Sequence, residues 1–195
     1  MPSVIYDLEY ITAGGESLET FLVTKSLFWP IHRSAPAGEP TFPRLTLGGL
    51  LLSIARLESR QLPFTESHQF DVLKMGLNNI RTSRSNAWER KVKREFQSRL
   101  RQWQQFLTEI MQNPETFIVH YESEVRIRVL LDLLGTDTRS CYDNVSDQVD
   151  QLDLLLRSVF QAGKFIWEDE ISTGFNPTQY WFLWGKPVIE KFNII

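Results

Sequence analysis

The feature that most constrains this chain is a run of large apolar residues between Trp88 and Ile110. Successive members are three or four residues apart, which is the repeat of one face of an α-helix. Asn86 and Glu89 have the spacing of a capping box, so we expect an amphipathic helix to begin there. The run, called here the apolar ladder, comprises Trp88, Val92, Phe96, Leu100, Trp103, Leu107 and Ile110.

The opposite side of this predicted helix is basic. Residues 81–101 hold eight Lys or Arg and two Glu, in a chain whose net charge is −3. At about 100° per residue, Arg90, Arg94 and Arg101 lie opposite most of the ladder. A solvated face, a contact with nucleic-acid phosphates and a pairing with acidic groups within the fold or on a partner protein all fit this pattern. The matching acidic stripe would be Asp143, Asp147 and Asp150.

The remaining patterns predict a mainly α, single-domain bundle of about five or six helices over residues 1–195. Four prolines between residues 30 and 43 predict a proline-rich loop there. Thr46 is a plausible helix cap after this loop. The opening segment "SVIYDLEYIT" is rich in β-branched and aromatic residues and precedes Gly14-Gly15, which suggests a short N-terminal strand pair.

Residues 117–131 give conflicting signals. Asn113, Pro114 and Gly135 favour a helix across this segment, because they fit a helix cap, a first helical position and a C-terminal stop. The alternating stretch "SEVRIRV" would suit a strand of a hairpin. We favour the helix, followed by another over 143–162 and two further helical turns in "NPTQYWFLWGKP".

Residues 164–195 form a segment unusually dense in aromatic residues, called here the aromatic cap. One interpretation is that these rings seal the end of the bundle. The other is that they form a surface for a partner or a second subunit, since Trp and Tyr dominate protein interfaces. The candidates for that contact are Trp167, Tyr180, Trp181 and Trp184.

Few residues suggest chemistry. His120 and Glu124 lie four positions apart, so on a helix they would face the same way and could hold a metal ion. Two ligands alone do not make a site, and no cofactor motif accompanies them. Cys141, the single cysteine, precedes a predicted helix but has no histidine near it in the sequence.

Composition narrows the cellular setting. One cysteine excludes an internal disulfide, and the N-terminus lacks the basic and apolar regions of a secretory signal. No apolar run reaches the length of a membrane span. We therefore expect a cytoplasmic protein that needs no membrane and no cofactor.

Three functions follow from these patterns. The leading hypothesis is a non-enzymatic helical interaction or scaffold protein that binds a protein partner or itself. The alternatives are a nucleic-acid-associated protein that uses Arg90, Arg94 and Arg101, and an enzyme or metal protein with a site near His120 and Glu124.

Overall fold

A computed structural model of the chain describes residues 2–137 and 146–188. It is mainly helical, with 69% of the described residues in helical segments that include eight α-helices. The predicted mainly α class is therefore confirmed, while the expected count of five or six helices is too low. In chain order the helices are α1 (Val4–Val23), α2 (Leu47–Glu58), α3 (Phe64–Ser83), α4 (Ser85–Gln112), α5 (Pro114–Phe117), α6 (Tyr121–Glu124), α7 (Arg126–Asp137) and α8 (Ser146–Arg157).

The long helix α4 forms the centre of the bundle. It packs against α7, and α2 packs against both α1 and α7. Every member of the apolar ladder is buried, and Trp103 is fully enclosed. The periodicity of three and four residues therefore predicted the inward face of α4 correctly.

The prediction of an N-terminal strand pair is wrong, because that segment forms α1. Ser3 caps the helix, and its Oγ accepts a hydrogen bond from the backbone N–H of Tyr6 at 3.1 Å. Gly14 lies inside α1. A Cβ there would lie 2.8 Å from Cδ2 of Leu50 and 2.9 Å from Cδ1 of Leu45. Glycine at this position thus permits close packing against α2 and does not end a strand.

The described residues contain one sheet, at the C-terminal end. Strand β1 (Phe160–Phe165) pairs antiparallel with β2 (Trp184–Pro187). Gly185 has φ +141°, and a Cβ there would lie 2.2 Å from the backbone oxygen of Gln161. Glycine is needed where the two strands approach. The prediction that 143–162 is one helix is therefore wrong at its C-terminal end, because α8 ends at Arg157.

Two 3₁₀ turns, Asp169–Gly174 and Trp181–Leu183, connect the strands of this hairpin. The expected two helical turns in "NPTQYWFLWGKP" are thus limited to Trp181–Leu183, and β2 takes the next four residues. The tail from residue 189 lies outside the described residues.

Residues 113–137 are helical, as preferred over the hairpin, but they do not form one helix. A 3₁₀ turn, Ile118–His120, separates α5 from α6, and α7 follows directly. The alternating pattern of "SEVRIRV" does not mark alternating faces, because Arg126 is exposed between buried Val125 and Ile127, whereas Arg128 is itself buried.

Arg128 joins α7, α8 and the aromatic cap. Its Nε and Nη2 donate to Asp153 at 2.8 Å each, and its Nη1 donates to Asp132 at 2.5 Å. The guanidinium lies 4.8 Å from the ring centroid of Phe182. Tyr121 adds a buried hydrogen bond from its hydroxyl to the Phe182 backbone oxygen at 2.7 Å. The cap is therefore fixed to the bundle by polar contacts as well as by its rings.

The proline-rich segment 30–43 has no helix or strand, as expected. An isolated bridge between Trp29 and Leu45 closes the loop around it. Thr46 then caps α2, with its Oγ1 accepting from the Gly49 N–H at 2.9 Å. Within residues 2–137 and 146–188, no helix combines the length and the apolar character that crossing a bilayer requires.

Candidate functional site

Of the predicted aromatic cap at 164–195, the structure describes residues 164–188. Tyr180 is buried, and Trp167 and Trp184 are half-buried. The indole N–H of Trp167 donates to the Glu122 backbone oxygen at 3.1 Å. That of Trp184 donates to the Phe175 backbone oxygen at 2.8 Å. Both indole nitrogens are therefore satisfied within the chain.

Trp181, the fourth predicted interaction residue, is also half-buried. The Arg157 guanidinium lies 3.7 Å from its ring centroid, and the ring of Phe160 meets it edge-on at 5.0 Å. These contacts hold the indole between α8 and β1. The aromatic cap therefore packs against the helices, and its three tryptophans remain partly exposed at the surface.

The basic residues of α4 lie where the helical wheel places them. Arg90, Arg94 and Arg101 are exposed. Their side chains form no ion pair with any residue in the described part of the chain. Asp147 and Asp150 are exposed on α8, and Asp143, the third acid of the predicted stripe, lies outside the described residues.

Lys91 departs from this basic face, because it is buried. Its Nζ donates to the backbone oxygens of Thr24 at 2.8 Å and Ser26 at 2.7 Å, just beyond the end of α1. It also lies 4.1 Å from the ring centroid of Phe21. Burial, together with the nearby charge of Arg94, lowers the pKa of Lys91 to about 8. The side chain is a structural link between α4 and the end of α1.

His120 and Glu124 line the same open cavity, of about 340 Å³, between α4 and the α5–α7 segment. Glu109 and two glutamines, Gln102 and Gln105, share its walls. In the described part of the chain, no three His, Cys, Asp or Glu side chains are grouped so that they could hold a metal ion. The metal role stays a prediction. Cys141 lies outside the described residues.

Sequence patterns missed a surface on α3. This helix has 20 residues, yet only Phe70 and Leu77 are buried. Its opposite side exposes 89% of Phe64, 54% of Val72 and 61% of Met75. At about 100° per residue these three fall within a sector of about 80°, on the side away from the buried pair. We call Phe64, Val72 and Met75 the outer face of α3.

An apolar groove runs beside this outer face. It lies between α1 and α3 and has a volume of about 270 Å³. Val72 belongs to both the groove and the outer face. Gly76 is part of the floor, and a Cβ added there would meet nothing within 4 Å. The other apolar walls come from Ile11, Leu73, Leu77 and Ile80.

A signal for this surface was present in the sequence. In "FTESHQFDVLKMGLNNI" the large apolar residues fall on two sides of the helix, whereas a helix at the edge of a bundle needs only one. The face with Phe70, Leu73, Leu77 and Ile80 accounts for the core contact. Phe64, Val72 and Met75 are the apolar residues of this helix that contact with the core does not explain.

No family model, no curated protein and no solved structure matches this chain.

Proposed function

We propose that this chain is a non-enzymatic helical interaction protein that self-associates through α3. The observation that carries the proposal is the exposure of Phe64, Val72 and Met75 on a helix that already buries its other apolar side. Exposed apolar residues are common singly, but Val72 and Met75 are neighbours one helical turn apart beside an apolar groove, with Phe64 on the same side, and such a group is typical of a protein contact surface.

The favoured occupant of this surface is a second copy of the same chain. One helix supplies projecting side chains, Val72 and Met75, and also one wall of the groove. A two-fold axis perpendicular to α3 and beside its outer face would set the two copies of the helix antiparallel. Each copy would then place its projections in the groove of the other, which is the self-complementarity that such an axis requires.

The order of charges along α3 favours the same antiparallel arrangement. Glu66 and Asp71 lie in its first half, and Lys74 and Arg81 in its second. Antiparallel pairing brings unlike halves together. Lys74 and Arg81 already have carboxylate partners within the chain, so these charges would set orientation and contribute little energy.

Light scattering after gel filtration tests this proposal. The wild type should have twice the chain mass of 22.8 kDa at high protein concentration. Burying a Val or Met side chain contributes roughly 1.5–3 kcal/mol, so the double variant Val72→Asp with Met75→Asp should be a monomer. The control is Leu154→Asp, which places one aspartate at an exposed leucine on α8, and the single variant Met75→Asp is its match in charge.

A wild-type protein that stays at 22.8 kDa over the whole concentration range would rule out self-association. If the Leu154→Asp control dissociated to the same extent, the location of the interface on α3 would be wrong. The aromatic cap is then the next candidate, through Trp167, Tyr180, Trp181 and Trp184.

A second candidate function is a contact with nucleic-acid phosphates. It is favoured by the exposure of Arg90, Arg94 and Arg101 on one side of α4, with no ion pair to any described residue. The net charge of −3 disfavours it. A gel-shift titration at increasing salt tests it, because phosphate contacts weaken steeply with salt. No binding at low salt would exclude this function.

A further inference from the structure

A cleft that none of these hypotheses uses lies where α2 begins. It has a volume of about 300 Å³, and three of its lining residues are arginines from separate parts of the chain. Arg44 comes from the loop before α2, Arg99 from α4 and Arg126 from the start of α7. None of the described residues that line the cleft is acidic. We call it the arginine cleft.

The cleft contains more positive charge than nearby carboxylates neutralise. Arg99 pairs with Glu95 on its own helix, Nη2 to Oε1, at 3.2 Å. The other oxygen of Glu95 accepts from the Gly48 backbone N–H at 3.2 Å. The side chains of Arg44 and Arg126 form no hydrogen bond or ion pair with any residue in the described ranges. Two guanidinium groups are therefore free to contact a ligand.

Holding these cations together has an electrostatic cost. Burial lowers the pKa of the Arg126 guanidinium, and the charges of Arg99 and Arg56 lower it further. Arg126 is nevertheless exposed along part of its side chain, as is Arg44, so a ligand can reach both. A bound anion would offset the repulsion, because opposite charge stabilises the protonated form.

The remaining walls restrict what kind of anion fits. Phe28, Leu52 and Leu130 give the cleft an apolar side, with the Arg99 guanidinium 5.7 Å from the ring centroid of Phe28. The N-terminal end of α2 lines the cleft at Gly49, so the positive end of its dipole faces the cleft, although the Gly49 N–H itself donates to Thr46. A volume near 300 Å³ is at the small end of ligand pockets.

We propose that the arginine cleft binds a small organic dianion, with a phosphate monoester on an apolar body as the chemical class. Guanidinium groups match phosphate oxygens with two parallel hydrogen bonds, and three of them suit a group with two negative charges. The apolar body would contact Phe28, Leu52 and Leu130. The cleft shares no residue with α3, so this proposal does not rest on self-association.

Phenyl phosphate is a suitable probe, measured by isothermal titration at low salt with the full chain. It should bind saturably, and binding should weaken as salt is added. A hydrogen bond to a charged group contributes enough that Arg126→Gln or Arg44→Gln should each raise the Kd about tenfold or more. Arg84→Gln is the matched control, since it removes an exposed arginine just before α4 that lies outside the cleft and pairs with Glu19, and it should bind like the wild type.

Two analogues test the ligand class. Phenol should not bind, and the monoanion benzoate should bind more weakly than phenyl phosphate. Absence of saturable binding by phenyl phosphate would overturn the proposal. Equal affinities in the wild type, Arg126→Gln and Arg44→Gln would overturn it as well, and equal binding of benzoate and phenyl phosphate would contradict the dianion class. Circular dichroism of each variant confirms that the comparison is between folded proteins.

Discussion

Asp7 of α1 is fully buried, and it forms a two-pronged ion pair with Arg56 of α2. The Nε of Arg56 donates to Asp7 Oδ2 at 2.9 Å, and its Nη2 donates to Oδ1. Arg60 donates to the same carboxylate from Nη1 at 3.2 Å. Asp7 thus compensates Arg56 where the first two helices meet, and it shares Arg60 with Glu168 and Glu170, which lie 3.3 and 3.5 Å from that guanidinium.

Removing this charge should be strongly destabilising. In Asp7→Asn, the buried guanidinium of Arg56 loses its carboxylate partner, and breaking a buried pair in this way costs about 3–5 kcal/mol. The free energy of unfolding from urea titrations checks this. Glu9→Gln is the control on the same helix, because Glu9 meets Arg33 at 3.2 Å in a partly exposed pair, and its loss should cost less than about 1 kcal/mol. Similar losses in both variants would contradict the role given to Asp7.

The inward orientation of α4 gives a second prediction. Trp103→Ala should lower the free energy of unfolding by about 3–5 kcal/mol, because it removes a fully buried ring and leaves a cavity. Arg101→Ala, two residues away on the exposed side, should change it by no more than about 0.5 kcal/mol. Thermal or urea unfolding measures both. A Trp103→Ala variant as stable as the wild type would show that the ladder does not face the core.

Lys91 predicts a specific pH dependence of stability. Its pKa is about 8 in the folded chain and 10.5 ordinarily, so between these values unfolding takes up a proton. Raising the pH through this interval removes the cost of burying the charge, and the free energy of unfolding should rise. Lys91→Arg is the control, because arginine stays charged throughout and should lack that rise. Parallel pH profiles for the two proteins would contradict the lowered pKa.

Sequence patterns predicted α4 and the cap on α2 because both depend on local spacing. The apolar ladder repeats over 23 residues, from Trp88 to Ile110, and no other structure suits that repeat. Thr46 acts through a backbone N–H only three residues away. Local signals of this kind are fully contained in the sequence.

The same patterns failed at two glycines, because a glycine can either end an element or permit close packing of two segments. Gly14 resembles a terminator, yet α1 continues through it. The glycine is needed there because the side chain of Leu50 occupies the space of a Cβ. Gly185 resembles the end of a helix, yet it allows β2 to approach Gln161. Both outcomes depend on a distant segment, which spacing along the chain does not reveal.

The candidate sites also differ in whether local sequence patterns can predict them. The exposure of Arg90, Arg94 and Arg101 follows from the wheel of a single helix. The arginine cleft combines Arg44 and Arg126, which lie more than 80 positions apart, so only the packing of α2 against α7 brings them together.

The most direct measurement for self-association through α3 is cross-linking at its outer face. In a Cys141→Ser background, Met75→Cys places a single thiol at the proposed two-fold contact, and Leu154→Cys places one on α8 as the control. A short thiol-specific cross-linker should convert Met75→Cys, and not Leu154→Cys, to a covalent dimer on a denaturing gel. No dimer from Met75→Cys, or as much dimer from Leu154→Cys, would contradict the proposed contact.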